Sequence, residues 1–415
     1  MADLWCGACF RPAAERRPAL TIPLQPSMAE TAWRGPFLRI TVANFFFFLN
    51  FASFFLLPLH LEAIGADRST VGAIMGTNGL AALAFLPVVA TQIDRLGRRR
   101  FLIGGAAGMA LAAALFPLID HVSPFLFVLR VVQGFSFASA FTATTTYAAE
   151  LAPVTRRAQA LGIFGLSTLL THAIAPALGE EIIHRAGFVT LFYCASACTL
   201  VVLMIAARLP ERRVAHTMQA EATTARGLAR IFWVIAATTM LTGMGFGTVV
   251  TFVAAYVHSE ALGRAGFFFG AYTTAAILVR VAGAGLSDRF GRRRVIMPTL
   301  IALGAAILLL SWARDWPHLM LAGVLFGTAH GINYPTLHAY LVDISEGTSL
   351  GRAQALFNGA FNLGVTGSSF IFGVVAERFG YRVMFTLAAV MPLLGCAVFY
   401  AFAGERTADN EPLRQ

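Results

Sequence analysis

Lysine is absent from the chain: all 31 basic residues are arginine, set against 21 Asp and Glu, for a net charge of +10 over 415 residues. Charge of either sign is scarce as well, at 13% of residues. That is about half the share of a soluble domain and excludes an ordinary water-soluble protein. Cysteine is rare and odd in number, at Cys6, Cys9, Cys194, Cys198 and Cys396. No disulfide framework follows, and the Cys6-Gly-Ala-Cys9 pair lacks the strand and helix that would make it a redox motif. Glycine (38) and proline (17) fall short of collagen-like or low-complexity levels, and a mean hydropathy of +0.70 excludes disorder. H-E-x-x-H, G-x-S-x-G, a Walker loop and metal-spaced Cys/His clusters are all missing, so no enzyme, ATP-driven pump, cofactor or metal is expected. No apolar run precedes residue 37, so no cleavable signal peptide is expected, and Met28 stands as an alternative start.

What is present is apolar sequence in long, nearly uncharged runs, at 38–61, 70–93, 101–119, 124–148, 158–179, 187–207, 231–257, 265–287, 295–313, 319–342, 353–376 and 382–403. About 20 residues of helix cross about 30 Å of hydrocarbon. Backbone in lipid must satisfy its own hydrogen bonds, so helices are the element these runs predict. The expected fold is an all-α polytopic membrane protein with twelve transmembrane helices. If the amino terminus is inside, 23 arginines fall on the cytoplasmic side and 6 on the other, with Arg130 and Arg280 within spans. The positive-inside rule then makes both termini cytoplasmic, as for a multi-pass protein of a bacterial inner membrane. The arginines sit in short groups between spans rather than on a soluble patch, so nucleic acid is not an expected partner.

The sequence repeats itself. Asp94-Arg-Leu-Gly-Arg-Arg-Arg100 returns 194 residues later as Asp288-Arg-Phe-Gly-Arg-Arg-Arg294, and Arg157-Ala-Gln-Ala-Leu161 returns 195 later as Arg352-Ala-Gln-Ala-Leu356. The approaches to spans 6 and 12, at Gly187 and Gly380, match at 193. Three matches in one register predict two duplicated six-helix bundles, at 34–208 and 229–404. A cytoplasmic linker is expected at 209–228, a disordered amino-terminal segment at 1–33 and a tail at 405–415. Parallel six-span repeats are an architecture of secondary transporters, with substrate bound where the halves meet.

At these residues, from about 34 to 404, the chain resembles the major facilitator superfamily. That family carries G-x-L-A-D-R-x-G-R-R/K between spans 2 and 3. The charged core is present twice here, as Asp94, Arg95, Gly97, Arg98, Arg99 and as Asp288, Arg289, Gly291, Arg292, Arg293, while Ala90 and Ala284 replace the leading glycine. The resemblance implies that Asp94 faces the start of span 11 and Asp288 the start of span 5. Physically, a carboxylate is favoured at a helix N-terminus, and arginines reach carboxylates such as Glu150 and Asp343. Such a network would latch the outward-open state and break when the halves rock. The plainer reading is a short positive turn that sets topology.

Within the spans, Arg130 and Gln133 resemble the family's R-x-x-Q-G element, and Arg130 either lines a cavity or bonds a neighbouring helix. Span 5 carries Thr171, Ala175 and Glu180 where the family's antiporters place glycines, so the export signature is incomplete. Asn358, Asn362, Thr366 and Ser369 share one face of span 11, as cavity lining or interhelical contact. Gly323, Gly327 and Gly331 form a packing ridge on span 10 beside His330, Tyr334 and His338. No span holds Asp or Glu away from its ends, which leaves His330 and His172 as candidate proton carriers beside packing roles. The expected function is secondary transport of a small solute, anionic, zwitterionic or neutral and amphipathic, by a monomer in the bilayer, with coupled protons and export favoured over uptake. An uncoupled facilitator, a sensor or scaffold on the same fold, and a polytopic enzyme are the alternatives.

Overall fold

The computed structural model of the chain describes residues 35–152, 156–209, 230–283, 285–345 and 350–403, and the structural statements below concern those residues. The amino-terminal segment with Cys6 and Cys9, all of the expected linker but Leu209, and the tail lie outside them.

Helices α1 to α4 are Pro36–Ala63, with a 3-10 turn at Phe54–Leu56, then Arg68–Leu96, Arg98–Leu115 and Pro124–Leu151. The run Arg157–Ala207 breaks at Gly187 (φ 78°) into α5, residues 157–186, and α6, residues 188–207. Arg230–Ser259, Ala265–Ala282, Arg292–Ser311 and Trp316–Asp343 are α7 to α10. Leu350–Ala403 breaks at Gly380 (φ 83°) into α11, residues 350–379, and α12, residues 381–403. Both breaks need the left-handed φ that glycine adopts without a Cβ clash, which is why the repeat at Gly187 and Gly380 marks a helix boundary. Nine of the described helical runs are long and apolar enough to cross a membrane. Two of these hold two spans each, and α10, richer in His, Asn and Thr, completes twelve. Span 8 ends at Ala282, short of the expected 287, because Gly283 stops the helix and Gly285 turns with φ 88°, before a short helix Leu286–Phe290.

Polar side chains tie each bundle internally. Asn44 Nδ2 on α1 donates to Ser167 Oγ (3.0 Å) and Thr168 Oγ1 (2.8 Å) on α5, and Asn50 Nδ2 donates to Ala195 O on α6 (2.6 Å). In the second bundle Asn333 Nδ2 on α10 donates to Thr299 Oγ1 on α9 (2.9 Å). Interhelical bonds of this kind hold spans together where lipid removes the hydrophobic drive. The glycine ridge of α10 lets it approach α8 closely: a Cβ at Gly323 would lie 2.7 Å from Phe268 O.

The core is joined at one end and divided at the other. At the ends of the helices away from the arginine loops, one cluster takes in both bundles, from Phe55, Leu57 and Leu61 to Phe252, Tyr256, Phe269 and Phe385. At the arginine-loop end the packing falls into two separate clusters. One runs from Phe37 to Leu209 in the first bundle, the other from Phe232 to Phe399 in the second. The bundles therefore close together at the end away from the arginine loops, here the outer end, and stand apart at the arginine end.

Candidate functional site at the seam of the two bundles

The outer closure is built from carboxylates on helix N-termini. At the end of α5, Glu180 accepts from the backbone N–H of Ala265 (2.7 Å) and of Gly266 (2.8 Å), the first two residues of α8. Its neighbour Glu181 accepts from Arg264 (2.8 Å). At the end of α11, Glu377 accepts from the N–H of Arg68, the first residue of α2 (2.8 Å). The Arg68 side chain continues to Ala376 O (3.2 Å) and stacks 4.3 Å over the Tyr381 ring, whose hydroxyl donates to Glu62. Each carboxylate belongs to one bundle and each N-terminus to the other. A helix N-terminus offers free N–H groups and positive potential, so an anion fits there without a cationic partner. The two contacts are alike in kind but fall at different positions of the repeat, since Glu377 aligns with His184 rather than with Glu180 at the offset of 193. From sequence, Glu180 registers only as the replacement of a glycine and Arg68 only as one of the six arginines opposite the cytoplasm, while Glu377 and Tyr381 carry no mark. The available signal was acidic residues at span ends on the side where arginine is scarce.

At the arginine end the signature loops are occupied within their own bundles. Arg98, 2% exposed, pairs with Glu150 (2.6 Å), and Arg292 pairs with Asp343 (3.0 Å) and with Asp288. The two pairs sit one repeat apart. Gly97 (φ 94°) and Gly291 (φ 85°) turn the chain from α2 into α3 and from the short helix into α9, a left-handed turn that the glycine of the motif makes possible. Among the described residues, Arg95, Arg289 and Arg293 form no ion pair in these loops. Asp94 closes α2, and its side chain lies outside the described residues.

Arg130 is buried on α4 and donates from Nε to Ile74 O (3.2 Å), from Nη2 to Met75 O (3.2 Å) and from Nη1 to Gln133 Oε1 (2.8 Å). In this state it binds the α2 backbone. The α11 stripe is divided: Asn358 and Asn362 are exposed, whereas Thr366 packs against Gly79 of α2 and Ser369 bonds Thr251 of α7 (3.1 Å).

Below the outer seal, α1, α5, α7, α8, α10 and α11 surround an aromatic chamber. His172 of α5 lies tilted against Phe55 (5.3 Å) and stacks toward Tyr272 of α8 (6.4 Å), and His330 of α10 stacks on Phe246 of α7 at 4.5 Å. Tyr334 follows at 5.9 Å from His330 and meets Phe361 of α11 at 5.0 Å. His172 and His330 are thus brought together across the seam, with Tyr272 between them. Two cavities lie beneath, of about 460 and 410 Å³. One runs along α8 and α10 past Tyr334 and His338, and the other separates α5 from α8 along Gly162, Leu166, Leu169 and Ile277. Arg280 lines both.

The family model described as Major Facilitator Superfamily matches residues 40–264 and 235–415. An uncharacterised MFS-type transporter of Salmonella typhimurium strain LT2 is 26% identical over 394 residues, covering 90% of this chain and 98% of that protein. The multidrug resistance protein MdtG of Dickeya zeae is 22% identical over 394 residues, covering 92% and 95%. Among solved structures, a mutant form of the nucleoside transporter NupG superposes with a TM-score of 0.76 at 15% identity, covering 88% of this chain and 99% of that one.

Proposed function

We propose, from the premise that this chain belongs to the Major Facilitator Superfamily and is a multi-pass membrane transporter of small molecules rather than an enzyme, that it exports an amphipathic solute by proton-coupled alternating access. The observation that carries the reading is the asymmetry of the core, joined at the outer end and divided at the arginine end. Two bundles that meet at one end and part at the other form one of the two states that a rocking carrier needs. With the arginine loops and both termini in the cytoplasm by the positive-inside rule, this is the cytoplasm-open state. Glu180 and Glu377 hold its outer gate. In the opposite state the signature loops close the inner gate, with Asp94 and Asp288 turned to the other bundle and Arg95, Arg98, Arg99, Arg289, Arg292 and Arg293 bridging to Glu150 and Asp343. Export is favoured by the similarity to a multidrug resistance protein.

His330 and His172 carry the coupled proton in this reading. Imidazole is the one unperturbed side chain that changes charge between about pH 5 and 8, and the chamber offers no carboxylate in its place. In proteoliposomes, His330→Gln, whose side-chain amide still donates a hydrogen bond, is expected to keep measurable solute counterflow, which needs substrate binding and alternating access but no proton, and to lose transport driven by a pH gradient. Gradient-driven transport at the parental rate in the His330→Gln, His172→Gln double variant would contradict the coupling role.

A further inference from the structure

Arg280 stands in the last turn of α8, two residues before its end, lines both cavities, and has no ion pair among the described residues. Its Nε is buried without a hydrogen-bond partner. The same is true of His172 Nδ1, Tyr272 Oη and both ring nitrogens of His330. Arg280 acts electrostatically on all three of these side chains and on Tyr334. Five of the buried polar atoms without partners among the described residues fall in this one seam, whereas protein interiors satisfy nearly all such atoms. Leaving them unpaired is costly, and a charged group within a span usually faces a pathway or a partner. Arg130, the other arginine within a span, shows the contrast, because three bonds to α2 and Gln133 engage it.

We infer that the unpartnered cluster of Arg280, His172, Tyr272 and His330 is the head-group site for an amphipathic organic monoanion bearing a carboxylate. The inference rests on the transport reading and names the substrate class. One permanent positive charge matches one negative charge. A guanidinium presents two parallel N–H donors to a carboxylate, which a point charge such as ammonium does not. His172, Tyr272 and His330 supply further donors, from imidazole N–H and phenol O–H. The apolar body then has two places to lie: against the rings of Phe246, Phe55 and Phe361, or in the cleft between α5 and α8 that Leu166, Leu169 and Ile277 line. Because α5 and α8 belong to different bundles, a ligand held there bridges the parts that move. The halves that must close around it are those that bind it.

The test is equilibrium binding to the purified full chain in detergent, by calorimetry, with 1-naphthylacetate and its uncharged amide as probes. The parent is expected to prefer the carboxylate by about tenfold or more, equivalent to about 1.4 kcal/mol per tenfold. Arg280→Gln is expected to bring the two probes to about equal affinity while amide binding is kept, and Arg280→Lys to retain part of the preference. Retained amide binding shows that the variant is folded. An unchanged preference in Arg280→Gln overturns the assignment. So does a parent that binds both probes alike, as a site holding only water would, or binds neither. A parent that prefers the carboxylate yet shows no counterflow supports the site and contradicts the transport reading instead.

Discussion

Glu180 shows how one side chain can set the balance between two states. A carboxylate near the end of a span is costly unless its oxygens are engaged, and both are engaged, by consecutive amides at the start of α8. Glutamine at this position keeps the shape but loses the charge and one acceptor oxygen. The interaction of a charge with a helix N-terminus is worth about 0.3 to 2 kcal/mol, or about twofold to thirtyfold in the population of the closed outer gate. Phe55 is 8% exposed and stacks on Phe269 across the seam at 5.5 Å. In a background with the native cysteines replaced by serine, a cysteine at Phe55 is expected to react slowly with an impermeant maleimide added from the outer side. Glu180→Gln is expected to speed that reaction about twofold or more. An equal rate in both backgrounds contradicts the latch. Arg130 teaches the converse lesson: a charge inside a span invites a functional reading, but here its donors are taken up by Ile74, Met75 and Gln133.

At the scale of elements, the crossing of α2 and α11 is the tightest observed contact between the bundles that side-chain volume alone would break. A Cβ at Gly373 would lie 2.9 Å from Gly72 Cα and 3.0 Å from Arg68 O, backbone that cannot yield without moving a helix. Gly373→Leu is therefore expected to disfavour the state described here and to raise the labelling of the Phe55 cysteine. Gly359→Ala on the same helix, where a Cβ would meet nothing within 4 Å, is expected to leave labelling unchanged. Equal labelling in both variants contradicts the role of the crossing. These elements also mark how far the sequence could be read. Twelve spans, their order and the duplication were legible because lipid imposes length and hydropathy on every helix, and because Asp94–Arg100 and Asp288–Arg294 repeat in register. The ends were less legible, as the early stop of α8 at Gly283 shows. The seam was least legible. Tyr272 meets His172 and His330 only because α5, α8 and α10 converge in space, and no periodicity along one helix records that. The outer latch was hidden for another reason: Glu180 and Glu377 bind backbone N–H groups, which carry no residue identity.

The whole molecule couples these contacts through the rigidity of its bundles. Each bundle has its own packed core at the arginine end and interhelical bonds within it, so the cheapest motion is of one bundle against the other. In the proposed cycle, closing one end then opens the other. The most direct test measures both ends at once by electron-electron double resonance on the reconstituted full chain. One spin-label pair is placed at Val122 and Arg314, on the outer loops of the two bundles. A second is placed at Arg100 and Arg294, the repeat-related starts of α3 and α9. In the parent a short outer distance and a long inner distance should dominate. In Gly373→Leu the outer distance should lengthen while the inner one shortens. An outer distance that lengthens with no change at the inner end would mean that the two gates move independently, and that the chain does not work by alternating access.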